Sequence, residues 1–394
     1  MTFFYGLPRQ GTAIFALVLI NSLCTSSLIP LMSFFIVEGL GVPPWQAGFY
    51  VATVAPLSLL TNRWAGEKLD HGARVRNLLL LSLSSYLLAT LLLTQIDRLW
   101  LLLLCIAPLM SLANMGSGII FTFGRLYATT EGLNVAVMNS RLRIAVSLGW
   151  MIGPAMAYAL VAQFGFTTTF LCSFGIGLVY MILWHRLIPP DFHGPVRARR
   201  SRHEDPINWK LLLAALSCLG FVVTNSLFVS SMPLFFIQET NLPGFTPGLS
   251  LSVKCLVEVF VIFASSQMAL RFGTRPLLLL AAVLGIAAML LFSQVTAVWH
   301  ALAISVLEGI YYGLFAGLSI TFVQSFAADR PGRATATYMN TLFFGGMIGG
   351  ISMGFIASAS SFQTVLYCAA GASATALLLL LATMRLRPSE VAKV

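Results

Sequence analysis

Charge is the scarcest property of this chain: only 9% of its 394 residues are charged, against 58% hydrophobic, and mean hydropathy is +0.88. A soluble domain carries charge on about a quarter of its residues, so that class is excluded. Strands that alternate apolar and polar residues are also missing. Leu78-Leu79-Leu80-Leu81 and Leu101-Leu102-Leu103-Leu104 are apolar on every face, which argues against a membrane β-barrel. The six cysteines, Cys24, Cys105, Cys172, Cys218, Cys255 and Cys368, show no paired spacing and fall inside apolar runs. They read as small packing residues rather than a disulfide framework or a metal set. HExxH, GxSxG and P-loop patterns are absent, and the five histidines, His71, His185, His193, His203 and His300, lie in loops or at helix ends. No enzyme, metal or cofactor is therefore expected.

What is present is a series of long apolar segments, which reads as an all-α integral membrane protein. A helix covers a hydrocarbon core of about 30 Å with about 20 residues. On that basis twelve spans fall at 11–36, 45–64, 77–95, 99–124, 140–162, 167–188, 209–236, 248–270, 276–294, 299–325, 336–359 and 363–384. One long polar run, 189–208, holds Arg197, Arg199, Arg200 and Arg202 between prolines. It can neither sit in hydrocarbon nor bury a core, so it reads as a solvated linker between two six-helix bundles, 1–188 and 209–394. The first apolar stretch follows a lone Arg9 without a small-residue cleavage site and reads as a retained helix.

Basic residues concentrate in the loops at 65–76, 125–139, 189–208, 271–275 and 326–335, and in Arg385, Arg387 and Lys393. The opposite loops carry only Arg98, against Glu38, Asp97 and Glu239. This bias predicts that the linker and both termini are cytoplasmic, and it accounts for the net charge of +10 with no nucleic-acid partner. Tyr5, Tyr50, Trp100 and Trp299 sit near span ends and are expected at the lipid interface.

The two halves repeat one another. Ser27-Leu28-Ile29-Pro30-Leu31 returns as Ser230-Ser231-Met232-Pro233-Leu234, and His71-Gly72-Ala73-Arg74 as Phe272-Gly273-Thr274-Arg275. Gly149-Trp150-Met151-Ile152-Gly153 returns as Gly345-Gly346-Met347-Ile348-Gly349. Each pair is separated by about half the chain. Parallel repeats of this kind build one class of secondary transporter, in which the substrate site lies between the halves near mid-membrane.

These features resemble the major facilitator superfamily, whose loop after the second helix is matched by Gly66-Glu67-Lys68-Leu69-Asp70-His71-Gly72-Ala73-Arg74-Val75-Arg76. That loop is one residue shorter than the usual pattern and has His71 where Arg or Lys is commoner. Further stretches narrow the likeness: Ser111-Leu112-Ala113-Asn114 with Arg125, Arg143 with Ser147 to Pro154, Met232-Pro233-Leu234, Leu256-Val257-Glu258 and Pro331-Gly332-Arg333. Together they are similar to bacterial sugar efflux transporters, the SET group. The resemblance implies export of sugars or glycosides across the bacterial inner membrane, driven by proton entry.

Glu258 lies about two turns inside the eighth span, where a carboxylate is costly unless protonated, paired or facing water. Burial favours the neutral form of a carboxyl group, which suits a proton carrier. The alternative is a standing pair with Lys254, one turn earlier on the same face. Glu308, in the tenth span, offers Lys254 a second partner, and either bridge is structural or breaks and reforms with proton or substrate. The resemblance favours a role for Glu258, because relatives carry a glutamate there. They have neutral residues in place of Lys254 and Glu308, and often an acid where this chain has Ser231.

A sugar needs convergent hydrogen-bonding groups and a flat apolar surface. Asn21, Thr25, Asn114, Asn225, Tyr311, Tyr312, Gln324 and Asn340 are the mid-span candidates, with Trp150 as a stacking platform. Each has a plainer reading as a helix-to-helix hydrogen bond. Arg143 either contacts substrate or snorkels to the cytoplasmic interface. Asp70, Arg74 and Arg76 read as a gate latch or as orientation signals. Gly149, Gly153 and Pro154 resemble the fifth-helix motif of exporters, where small residues allow close approach and proline bends the helix. The expectation is a monomer that exchanges protons for a small sugar or glycoside in a lipid bilayer by alternating access. Proton-coupled drug export and sugar uptake are the alternatives.

Overall fold

A computed structural model describes residues 9–133, 135–188, 208–327 and 331–384. The expected linker lies outside the described residues except for Asn208, as do Tyr5, Arg385, Arg387 and Lys393. The described residues are helical and contain no strand. In order, the helices are α1 (Arg9–Phe34), α2 (Pro44–Asp70), α3 (Val75–Leu93) and α4 (Ala107–Thr130). Next comes Val135–Leu187, which Gly165 (φ 80°, ψ 177°) breaks into α5 (135–164) and α6 (166–187). The second half supplies α7 (Trp209–Leu234), α8 (Thr246–Phe272), α9 (Thr274–Phe292), α10 (Val298–Gln324), α11 (Pro331–Ala359) and α12 (Phe362–Thr383).

Ten of the described helical segments are long and apolar enough to cross a membrane. One of them, Arg141–Leu187, contains two spans once divided at Gly165, and the more polar α2 completes the set of twelve. Leu60, Leu104, Phe260 and Leu378 are exposed on helix surfaces, as lipid contact requires. The protein is a multi-pass membrane protein. Trp100 and Trp299 are exposed near helix starts as expected, whereas Tyr50 is buried.

The structure corrects two details of the span map. The expected loop between the fifth and sixth spans is absent, because one glycine in the left-handed region reorients the chain unaided. The first and seventh spans also run on into π-helical turns, Phe35–Gly39 and Phe235–Glu239. Each of these is followed by a residue of positive φ, Gly41 (66°) and Asn241 (52°). Gly72 (80°) and Gly273 (84°) likewise share a positive φ, so the repeated glycine between the second and third helix of each half is a backbone requirement.

Contacts divide the chain into two units, Met1–Val42 with Ala52–Ser201 and Pro43–Val51 with Arg202–Val394. In the first, α1 packs along α5, and α3 packs on α4 and on α6, where Tyr86 OH donates to Ser173 O at 3.4 Å. In the second, α7 packs on α11 and α12, α8 on α10, and α9 on α10 and α12. Phe221, Tyr311 and Phe315 stack at its centre, with Phe221 and Phe315 ring centroids 4.8 Å apart. Asn208 caps α7 by accepting from Leu211 N at 3.1 Å while donating to Phe326 O at 3.0 Å. Glu239 accepts from Phe362 N and Gln363 N, holding a carboxylate at the α12 N-terminus.

The start of α2 groups with the second unit, whereas the sequence places it in the first half. Trp45 N donates to Ser358 Oγ at 2.9 Å, and the α11 glycines Gly350 and Gly354 leave room for Val51 and Pro44.

Candidate functional site

In the first unit the polar side chains expected at mid-span form a layer of neutral hydrogen bonds. Asn21 on α1 donates from Nδ2 to Ser117 Oγ on α4 at 2.9 Å, and Asn114 Nδ2 donates to Ser58 Oγ on α2 at 3.2 Å. Asn62 Nδ2 reaches Ser58 O at 2.8 Å, Thr61 Oγ1 reaches Ser111 O at 2.8 Å, and Ser82 Oγ reaches Ala113 O at 2.7 Å. Thr25 is engaged within its own helix, with Asn21 O and Ser22 O. Asn21 is buried, while Asn114 and Ser117 are half-buried.

The α1 and α5 contact is built from serine against glycine. Ser22 Oγ donates to Val146 O and Ser26 Oγ to Gly149 O, both at 2.8 Å. A Cβ added at Gly149 would meet Ser22, and one at Gly153 would meet Ser26. Nothing larger than glycine fits, which explains the spacing singled out in the sequence. Pro154 is buried within the helix one residue on, and Trp150 is half-buried.

Arg143 is exposed. Arg76 lies over the Trp184 ring at 4.9 Å with Nη2 3.0 Å from His185 Nδ1, while Trp184 Nε1 donates to Arg76 O at 3.0 Å. Arg76 is thus engaged with the end of α6. Arg74 caps α3 through its extended backbone, and the side chain of Asp70 lies outside the described residues.

The second unit differs in kind. Lys254 on α8 and Glu308 on α10 pair at 2.7 Å, with side chains only 6% and 0% exposed. Lys254 Nζ also donates to Asn225 Oδ1 on α7 at 2.6 Å and lies 4.3 Å from the centroid of the Tyr312 ring. Apart from Lys254, no described residue donates to either Glu308 carboxylate oxygen. Two charges in so dry a setting are tolerated only because they face each other. Glu258 is half-buried, one turn along from Lys254.

A glycine stripe brings α8 and α10 close enough for this pair. A Cβ on Gly309 would lie 2.6 Å from Lys254 O, one on Gly313 would lie 2.8 Å from Val261 Cβ, and one on Gly317 would strike Ser265. Tyr311 is fully buried, its hydroxyl donating to Phe221 O at 3.1 Å, so it belongs to the core. Tyr312 and Gln324 are half-buried and Asn340 is exposed.

Sequence reasoning passed over Ser22, Ser26, Ser58, Ser117 and the Gly309, Gly313, Gly317 stripe. The stripe carries its own signal, glycine at every fourth position. A second signal is the repeat Asn21-Ser22-Leu23 with Ser26-Ser27, returning as Asn225-Ser226-Leu227 with Ser230-Ser231. It pairs the two asparagines, and it also resets the glycine register. Ser226 Oγ donates to Gly346 O at 2.9 Å and faces Gly349, as Ser22 faces Gly149. Gly149 therefore corresponds in packing to Gly349, one helical turn beyond the Gly345 that the G-x-M-I-G match selects.

Among the described residues, twelve long helices in two repeated units, with polar clusters inside them, fit a secondary transporter architecture. The chain matches the family model described as Major Facilitator Superfamily over residues 14–330 and again over 214–394, and it belongs to that family. Sugar efflux transporter B of Salmonella typhimurium is 26% identical over 365 residues, spanning 91% of this chain and 92% of that protein. Sugar efflux transporter C of Escherichia coli is 26% identical over 385 residues, spanning 95% and 96%. These names fall in the group to which the sequence motifs pointed. Among solved structures, the nucleoside transporter NupG superposes with a TM-score of 0.78 over 96% of this chain and all of that one, at 15% identity, a likeness of fold.

Proposed function

We propose that this protein exports a small sugar or glycoside from the bacterial cytoplasm across the inner membrane, in exchange for protons and by alternating access. The observation that carries the reading is its end-to-end similarity to proteins named sugar efflux transporters. The chemistry of the polar groups inside the helices suits that cargo. Asn21, Asn114 and Asn225 supply amides and Tyr312 an aromatic face, which suit hydroxyls and the C–H side of a sugar ring.

The proton carrier in this reading is Glu258, because it is half-buried and within a turn of a cation, whereas Glu308 is enclosed and paired. Lys254 and Glu308 place a second charge pair close enough to feel its ionisation. Asp70, Arg74 and Arg76 act as the cytoplasmic gate, and Gly149, Gly153 and Pro154 as the bending element of α5. Both termini face the cytoplasm and the transporter works as a monomer.

Inverted vesicles loaded with an imposed pH gradient test the reading. Labelled sugar should accumulate in the lumen only when the lumen is more acidic than the medium, so that protons leaving the vesicle drive sugar in, which corresponds to export. Glu258→Gln should abolish accumulation while sugar exchange at zero gradient continues. Accumulation of lipophilic cations instead of sugars would overturn the cargo, and gradient-driven accumulation by the Gln variant would overturn the carrier.

A further inference from the structure

Asn225 is half-buried on α7 and receives the Lys254 ammonium on its oxygen at 2.6 Å. An ammonium only donates, so chemistry decides which way the amide points: Oδ1 toward Lys254, Nδ2 away from it. Lys254 has no freedom to let go. Glu308 holds it at 2.7 Å, the Tyr312 ring covers it at 4.3 Å, and its side chain is 6% exposed. No described residue accepts from Asn225 Nδ2. The matching Asn21 in the first unit is not constrained in this way. It bonds the Ser117 hydroxyl, which can donate or accept, so that amide could equally turn over.

We infer that the Lys254–Glu308 pair is a positioning device for Asn225: it locks the amide so that the second unit offers cargo an N–H donor and not an acceptor. This rests on the sugar-transport reading above and adds a rule of selectivity to it. Asn225 touches the cargo, whereas Lys254 and Glu308 act through it. The oxygen that meets Nδ2 must accept a hydrogen bond. A cationic substituent at that place is rejected, because it brings only donors and meets a donor. Glu308 also cancels the charge behind the amide, so the pair does not draw anionic sugars.

The test uses the full chain, purified and reconstituted in lipid nanodiscs. A panel of neutral mono- and disaccharides is first screened for binding. Monodeoxyfluoro and monoamino analogues of the tightest binder are then compared at each ring position. Fluorine keeps a weak acceptor and loses the donor, while a protonated amine keeps only donors. At one position the wild type should bind the fluoro analogue within about threefold of the parent sugar and the amino analogue at least tenfold more weakly.

The double variant Lys254→Met with Glu308→Leu replaces the pair by apolar groups of similar size, a change that buried pairs often tolerate. Its amide is free to turn over, so it should bind both analogues within about threefold of the parent. Asn225→Asp, which offers only acceptors, should prefer the amino analogue by tenfold or more. A merely structural pair would change overall affinity or yield but not this preference. Retention of the fluoro-over-amino preference by the double variant would overturn the inference while leaving sugar transport standing. Failure of every sugar to bind the wild type would overturn the transport reading, and the inference with it.

Discussion

Asn21 and Asn225 occupy matching places in the two units, yet one amide bonds a serine hydroxyl at 2.9 Å and the other an ammonium at 2.6 Å. Around them the backbone has hardly diverged. Ser22 and Ser226 both donate to a carbonyl of the facing helix, at 2.8 and 2.9 Å, and each sits against a glycine. The π turns and the positive-φ residues also recur. What is kept is what the backbone demands, since close approach and left-handed turns leave few residue choices. What differs is charge. The first unit satisfies its mid-span groups with neutral amides and hydroxyls, and the second with an enclosed ion pair. Duplication thus preserved a scaffold and left each unit to acquire its own chemistry.

The largest effect that would sharpen this contrast lies at the pair itself. Lys254→Met or Glu308→Leu alone strands one charge in a site with 0–6% side-chain exposure, and each should lower stability by about 3–5 kcal/mol. The double variant should return to within about 1 kcal/mol of wild type, because no uncompensated charge remains. Asn21→Leu in the neutral layer should cost far less, about 1 kcal/mol. Denaturant unfolding in detergent micelles, followed by tryptophan fluorescence, checks all four. Single and double variants of equal stability would show that the pair is not dry and would erase the contrast.

Much of the fold was legible in the residues because hydrocarbon imposes so blunt a rule: a span needs about 20 apolar residues, and twelve such runs are present. The break between the fifth and sixth spans was legible as the gap at 163–166, but not that Gly165 alone makes it without a loop, since a single positive-φ glycine needs no polar run to mark a turn. At the site, Glu258, Lys254 and Glu308 stood out as charges inside spans, but which of the two acids Lys254 faces depends on how closely α8 and α10 approach. That approach is set by Gly309, Gly313 and Gly317, whose meaning appears only when the facing helix is known. Tyr311 and Tyr312 are neighbours in sequence with opposite fates, one donating to Phe221 O and the other covering Lys254. The 100° between successive helix positions separates them, and apolar flanks on both sides conceal which face is which.

A middle-sized effect tests the shared scaffold. Gly149→Ala and Gly349→Ala should each lower stability by about 1–3 kcal/mol, since the new methyl meets Ser22 or Ser226 across a contact with no slack. Gly346→Ala is the control. A Cβ there has nothing within 4 Å, so stability should stay level or rise slightly. Equal penalties at Gly149 and Gly349 would support the serine-to-glycine register. If Gly345→Ala matched Gly149→Ala while Gly349→Ala were harmless, the register read directly from the G-x-M-I-G match would be the better one.

The smallest effect asks whether the two serine bonds are energetically as well as geometrically alike. Ser22→Ala removes the bond to Val146 O, and Ser226→Ala removes the bond to Gly346 O. Inter-helix hydrogen bonds in membranes average about 0.6 kcal/mol, because the same groups find other partners when the helices are separated in the bilayer. Both variants should therefore fall by about that amount and by the same amount. The sum should be additive in the double variant, since the serines lie in different units and share no partner among the described residues. A loss above about 2 kcal/mol at either serine would mean that the hydroxyl also holds its glycine-bearing neighbour in register. The two units would then differ in packing as well as in charge.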